Sequence, residues 1–192
     1  MVIAITGGIG SGKSTVGALI RNCGFSVYDC DLITNSLFSD NDIKSDLMVA
    51  FGNDVINISG EVDKDFLRKI ICEDTTKFDA LDEMLASVIE ERLGDTVLQS
   101  RINNTETFIE VPLLFESNLA WMFDNVVFVY SDVFDQRQRM LGRGLTPLEA
   151  DVMLSRQESP RNKAIRSDYV LLNVGSHEEL EDLVRQFLLL LE

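Results

Sequence analysis

The chain has 192 residues, 45% of them hydrophobic, which suffices for one sizeable core and falls within the range of a single domain. Its 17 basic and 32 acidic side chains give a formal net charge of −15, so most of the surface would repel nucleic acid and anionic membrane. Three cysteines with no Cys-x-x-Cys pair, and the single histidine His177, argue for reduced thiols in a cytoplasmic setting and against a zinc site.

The chain opens on an apolar run, Val2 to Thr6, that reads as a buried strand, with no basic leader and cleavage-type apolar region ahead of it. Gly7-Gly8-Ile9-Gly10-Ser11-Gly12-Lys13-Ser14 follows at once and fits Gly-x-x-x-x-Gly-Lys-Ser, a pattern met by chance in about one per cent of chains this long. Glycines let the backbone wrap phosphates closely, and a helix N-terminus behind them adds its own N–H groups. Lys13 is placed to reach the β- and γ-phosphates of a nucleotide, and the Ser14 hydroxyl to hold Mg²⁺. The plain alternative is a glycine-rich turn with an exposed lysine, which the strand-loop-helix context disfavours.

A crossover helix is expected over Ser14 to Asn22, stopped near Gly24, and a second strand over Phe25 to Tyr28. Asp29-Cys30-Asp31 ends that strand. Read as extended chain, it points both carboxylates into one cleft and the thiol away, with one acid for metal-bound water and the other for a hydroxyl proton. An aspartate-rich turn capping the next helix is the alternative. From Leu32 to Thr105 there is little strand character, and stripes such as Leu81, Leu85 and Ile89 predict a helical lobe.

Strands resume at Phe108 to Val111, Val126 to Tyr130 and Tyr169 to Leu172, giving an α/β sheet of parallel strands. Arg139 and Arg143, four apart on the helix after the fourth strand, share a face that could close over phosphates. They belong to a basic island, Arg137 to Arg166, with seven basic residues against three acids, suited to a polyanion or else to a solvated helix with ion pairs. Thr146-Pro147-Leu148-Glu149 and Ser176-His177-Glu178-Glu179 have capping-box spacing, which makes His177 a first-turn surface residue rather than a base. The late apolar run Phe187 to Leu191 is too short to span a bilayer.

With these residues in place the chain resembles the dephospho-coenzyme A kinase family over nearly its whole length. The likeness rests on Ile5 to Val16, on Val27-Tyr28-Asp29-Cys30-Asp31, on Phe51-Gly52, Gly60 and Leu67-Arg68, and on Val111-Pro112-Leu113-Leu114-Phe115-Glu116. It continues through Arg139, Arg143, Gln157, Asp168, Asn173 and Gly175. The resemblance implies a P-loop three-layer α/β/α fold with a five-stranded parallel sheet, treated as one domain over 1–192. Its core would lie at about 1–31, 105–135 and 165–192, its helical acceptor lobe at about 32–104 and its lid at about 136–164. It implies transfer of the ATP γ-phosphate to the ribose 3′-hydroxyl of dephospho-CoA, with Asp31, Lys13, Arg139 and Arg143 catalytic. Nucleotide contacts would come from Gly8, Ile9, Gly10, Ser11, Gly12, Lys13, Ser14, Thr15, Asn173 and Gly175, and Mg²⁺ contacts from Ser14 and Asp29.

Two departures fall in the lobe: Ala86-Ser87 replaces the family's usual His-Pro, and Lys64 a common arginine, which keeps charge without the bidentate fork. A kinase for another small acceptor, such as a nucleoside monophosphate or a shikimate-like acid, stays open from the residues alone. A nucleotide switch is a further alternative, weakened by the lack of an Asn-Lys-x-Asp segment. The expected partner is the small-molecule substrate, without nucleic acid or membrane, in a cytoplasmic monomer or weak homo-oligomer.

Overall fold

The computed structural model describes residues 1–191, and every side chain among them except that of Asp31. Five strands, β1 (Val2–Gly7), β2 (Ser26–Asp29), β3 (Thr107–Glu110), β4 (Asn125–Tyr130) and β5 (Tyr169–Leu172), pair in parallel in the order β2-β3-β1-β4-β5. All five sit where the apolar runs predicted them. β1 is fully buried because it lies at the centre of the sheet with both faces covered. At the sheet's N-terminal edge, Asp124 accepts the Val2 N–H at 2.7 Å and Asp168 the Val126 N–H at 2.8 Å. These two carboxylates satisfy strand-end donors that would otherwise be orphaned.

One face of the sheet packs on α1 (Lys13–Asn22) and α9 (His177–Leu189), with Ile3, Ile5, Phe108 and Val129 meeting Val16, Ile20, Leu180 and Phe187. Gly24, at φ 95°, follows the C-terminal cap of α1 where the sequence places its stop. The other face packs Val2, Ala4 and Ile109 on Leu93 and Val97 of the 28-residue α5 (Thr75–Ile102) and on Leu114 to Phe123.

α2 (Cys30–Leu37), α3 (Asn41–Phe51) and α4 (Lys64–Glu73) complete the helical region before α5. They share a separate core in which Leu47, Val55, Leu67 and Ile71 meet Phe78, Leu81 and Leu85 of α5. Each such leucine or phenylalanine contributes about 1.5–3 kcal/mol by burial. One long helix thus serves two cores, with its first half in the lobe and its second half on the sheet.

α6 (Val133–Gly142), α7 (Pro147–Ser155) and α8 (Pro160–Ile165) connect β4 to β5. The capping boxes at Thr146 and Ser176 are both formed. α7 packs its Val152 and Met153 against the lobe core. Among the described residues no helix is long and apolar enough to cross a membrane.

Candidate active site

The phosphate loop joins the end of the central strand β1 to the start of α1, so it sits at the C-terminal edge of the sheet, where ligands bind in open α/β folds. Its carbonyl groups are held by side chains. Arg139 Nη1 donates to the Gly10 carbonyl at 2.9 Å, and Asn173 Nδ2 to that of Ser11 at 2.8 Å. Lys13 Nζ donates to the carbonyls of Gly7 and Gly8 at 2.9 and 3.0 Å. Holding carbonyl dipoles this way favours an anion-binding concavity lined by N–H groups, backed by the first turn of α1. Gly12 takes φ 102°, and a Cβ there would lie 2.3 Å from Asn173 Nδ2, so a side chain fails on both counts.

Beside the loop stands a carboxylate that sequence reasoning passed over. Glu110 ends β3 in register with both Ile5 and Asp29, and is only 3% exposed. Its carboxylate bonds the Ser14 hydroxyl and meets Arg21 Nη2 at 3.3 Å. Burial, and then the Asp29 carboxylate, push the Glu110 carboxyl above its usual range against the opposing pull of Ser14, Arg21 and Lys13. The available signal was an acid closing an apolar strand, the placement of a metal-holding aspartate in P-loop enzymes. Two carboxylates crowded beside an exposed serine hydroxyl fit a cation such as Mg²⁺, which would relieve their repulsion.

The segment Asp29-Cys30-Asp31 departs from the extended reading. β2 stops at Asp29 and α2 begins at Cys30, so Asp31 lies in the first turn of a helix and alternation does not set its direction. Cys30 is buried. The Asp31 side chain lies outside the described residues.

Arg139 and Arg143 also part company. α6 ends at Gly142, leaving Arg143 exposed at the cap ahead of Gly144 (φ 91°), while Arg139 reaches the loop and the Ser131 hydroxyl at 3.0 Å. Much of the basic island is matched locally or across the fold. Arg137 pairs with Asp151 at 2.6 Å, Arg166 with Glu158 at 2.8 Å and Arg156 with Asp79, and buried Lys163 lies 2.7 Å from Glu116. The ion-pair reading therefore describes four of its seven cations. Gly175 is exposed and makes room for the capping carboxylate of Glu179, 2.0 Å from where its Cβ would be. His177 is exposed at the start of α9, as its capping-box position predicts. In the lobe, Ala86 and Ser87 are exposed, and Lys64 bonds Asn35 and lies over the Phe38 ring at 5.7 Å.

Two side chains from the β4–β5 connection complete the surroundings of the loop. Gln157 Oε1 accepts the Ile9 N–H at 3.2 Å, and Gln136 lies against Gly8, 2.2 Å from where its Cβ would be.

The family model described as CoaE: Dephospho-CoA kinase matches residues 1–179. Dephospho-CoA kinase of Fusobacterium nucleatum subsp. nucleatum is 30% identical over 190 residues, covering 97% of this chain and 96% of that one. The enzyme of Oceanobacillus iheyensis is 34% identical over 183 residues, covering 93% and 92%. Among solved structures, TT1252 from Thermus thermophilus superposes with a TM-score of 0.77 at 29% identity, covering 100% of this chain and 98% of that one. Dephospho-CoA kinase from Campylobacter jejuni gives 0.73 at 18% identity, covering 99% and 96%. Shikimate kinase from Acinetobacter baumannii shares the fold, with a TM-score of 0.57 at 15% identity and coverage of 99% and 92%.

Proposed function

We infer the roles of individual residues from a premise that the family match establishes: the chain belongs to the dephospho-CoA kinase family. It catalyses the last step of coenzyme A synthesis, the ATP-dependent phosphorylation of the ribose 3′-hydroxyl of dephospho-CoA. The 3′-oxygen forms a bond to the γ-phosphorus as the bond from that phosphorus to the β–γ bridging oxygen breaks, which gives CoA and ADP. Little covalent chemistry falls to the protein, so its work is positioning and charge stabilisation.

Lys13 exchanges its bonds to the Gly7 and Gly8 carbonyls for the β- and γ-phosphate oxygens, while the amides of residues 8–15, apart from that of Ile9, which Gln157 holds, cradle the chain of phosphates. Arg139 holds the Gly10 carbonyl and adds positive charge beside the transferred group. Arg143 would join it through movement of the end of α6 toward the loop. Asp31 accepts or orients the 3′-hydroxyl proton, the position that the resemblance assigns it. Ser14, Asp29 and Glu110 would hold Mg²⁺, which would supply neutralisation of charge on the phosphates. Asn173 supports the loop, and the adenine would lie near it and Gly175. The acceptor fits between the helical lobe and the loop, in a protein acting in the cytoplasm without nucleic acid or membrane.

The observation that carries this reading is the contact of Glu110 with Ser14 beside Asp29, which makes the acidic end of β2 and the start of α1 one cluster. The Asp31→Asn variant tests it. Turnover of dephospho-CoA falls by about two to four powers of ten, the usual worth of a general base, while ATP affinity holds. Near-normal turnover would remove Asp31 from the mechanism.

A further inference from the structure

The carbonyls of the phosphate loop are met by donors, but one contact runs the other way. The Ile9 N–H donates to Gln157 Oε1 at 3.2 Å across 148 residues of sequence. This N–H belongs to the same peptide unit as the Gly8 carbonyl, which accepts from Lys13 Nζ and from the Ser11 N–H, each at 3.0 Å. One peptide plane is thus held at both ends. When Lys13 moves to the nucleotide phosphates, the hold on the carbonyl end weakens, and glycine at position 8 offers the plane little steric resistance to rotation. A rotated plane would carry the Gly8 carbonyl off Lys13 and Ser11 and change the shape of the opening turn. Gln157 is then the contact that retains the N–H end.

A flexible side chain can do this only if its own backbone is fixed. Gln157 lies in the elbow between α7 and α8, and the next residue, Glu158, donates its N–H to Glu116 Oε1 at 2.8 Å. Lys163 of α8, 1% exposed, lies 2.7 Å from the same carboxylate oxygen. The Arg166 guanidinium pairs with the Glu158 carboxylate and stacks 4.5 Å from the Phe115 ring. A buried ion pair is a weak source of stability because desolvation offsets its attraction, yet it fixes geometry. Here it bolts the elbow to the segment that follows β3.

We propose that Gln157 is a positioning residue for phosphoryl transfer: by accepting the Ile9 N–H it keeps the opening turn of the loop, residues 8–10, shaped to receive the terminal phosphate of ATP. This rests on the kinase reading above for the identity of the donor. On that reading the N-terminus of α1 would take the inner phosphates and the opening turn the last one, so the loss of Gln157 acts on ATP more than on ADP.

The test is Gln157→Leu, which keeps the approximate shape and removes the acceptor, with Mg-ATP and Mg-ADP titrated directly against the protein and melting followed in parallel. The dissociation constant for Mg-ATP rises about tenfold, the worth of one hydrogen bond at the upper end of the usual range, while that for Mg-ADP changes much less. Melting stays near wild type, and the KM for dephospho-CoA is unchanged while that for ATP rises. Unchanged ATP affinity, or equal losses for ATP and ADP that follow a fall in melting temperature, would overturn the proposal. Direct nucleotide titration does not depend on the acceptor, so failure to turn over dephospho-CoA would strike the kinase assignment and leave this result standing.

Discussion

Gly17 sets the room available to Glu110. It is buried in α1, and a Cβ built on it would lie 2.2 Å from Glu110 Oε1 and 2.9 Å from the carboxyl carbon. In an ordinary helix interior, Gly17→Ala would stabilise by about 1 kcal/mol. Here the new methyl must displace a buried carboxylate from Ser14 and Arg21, a form of overpacking that costs about 1–3 kcal/mol. The net change is a loss of about 0–2 kcal/mol, and at about 2–4 °C per kcal/mol the melting temperature falls by about 8 °C at most. Activity suffers more, because Glu110 no longer holds its place beside Ser14, and loss of an outer-shell metal partner typically lowers activity by about 10–100-fold. The assay is kcat/KM for Mg-ATP at saturating acceptor, with a thermal melt of the same sample. Glu110→Asp in the Gly17→Ala background draws the carboxylate back by one methylene and should recover most of the lost activity. Unchanged activity in the single variant, or no recovery in the double one, would refute this account of Glu110.

Two carboxylates predict opposite dependence on pH. Because burial and Asp29 raise the folded pKa of Glu110, the folded chain binds that proton more tightly, and stability declines as pH rises from about 4.3, the unfolded value, through the folded one. Glu110→Gln should therefore melt above wild type at neutral pH, with the gap closing in acid, and yet turn over poorly; a lower melting point at neutral pH would contradict the sign. Glu149 is held below its usual range by the Thr146 N–H, then by the Thr146 hydroxyl and Arg68, against its own burial. Its contribution is present above about 4.3 and lost as pH falls through the lower folded value. Glu149→Gln should cost about 1.5–3 kcal/mol at neutral pH by urea titration, shrinking toward acid, and a loss independent of pH would refute the ionic account.

Local patterns were readable wherever neighbouring residues decide the structure. The five apolar runs became the five strands, and Thr146 and Ser176 formed the capping boxes their spacing announced. The phosphate loop was legible for the same reason, since its glycines, Lys13 and Ser14 fall within eight residues of sequence, whereas Arg139 and Asn173, which hold its carbonyls, come from far along the chain. Reading failed where an element boundary or a distant partner decided. Asp29-Cys30-Asp31 was read by strand alternation, but the chain turns helical at Cys30. Arg139 and Arg143 keep their helical spacing, the Arg143 N–H donating to the Arg139 carbonyl at 3.2 Å, but Arg143 caps α6 and is exposed while Arg139 reaches the loop. The basic island looked available for a polyanion because the partners of Arg156 and Lys163, Asp79 and Glu116, lie 77 and 47 residues away in sequence. Gln157 and Glu110 show their relation to the loop only once α7 and β3 are in place, although the acid at the end of an apolar strand was a usable signal for Glu110.

The central claim is that this loop and the acidic end of β2 transfer a phosphoryl group to the 3′-hydroxyl of dephospho-CoA. The direct measurement is incubation of the purified chain with Mg-ATP and dephospho-CoA, in parallel with nucleoside monophosphates and shikimate, following ADP release and product mass. The account predicts ADP in step with a product that gains one phosphoryl group and behaves as authentic CoA, for dephospho-CoA alone. Turnover of a nucleoside monophosphate or of shikimate, with none of dephospho-CoA, would contradict it.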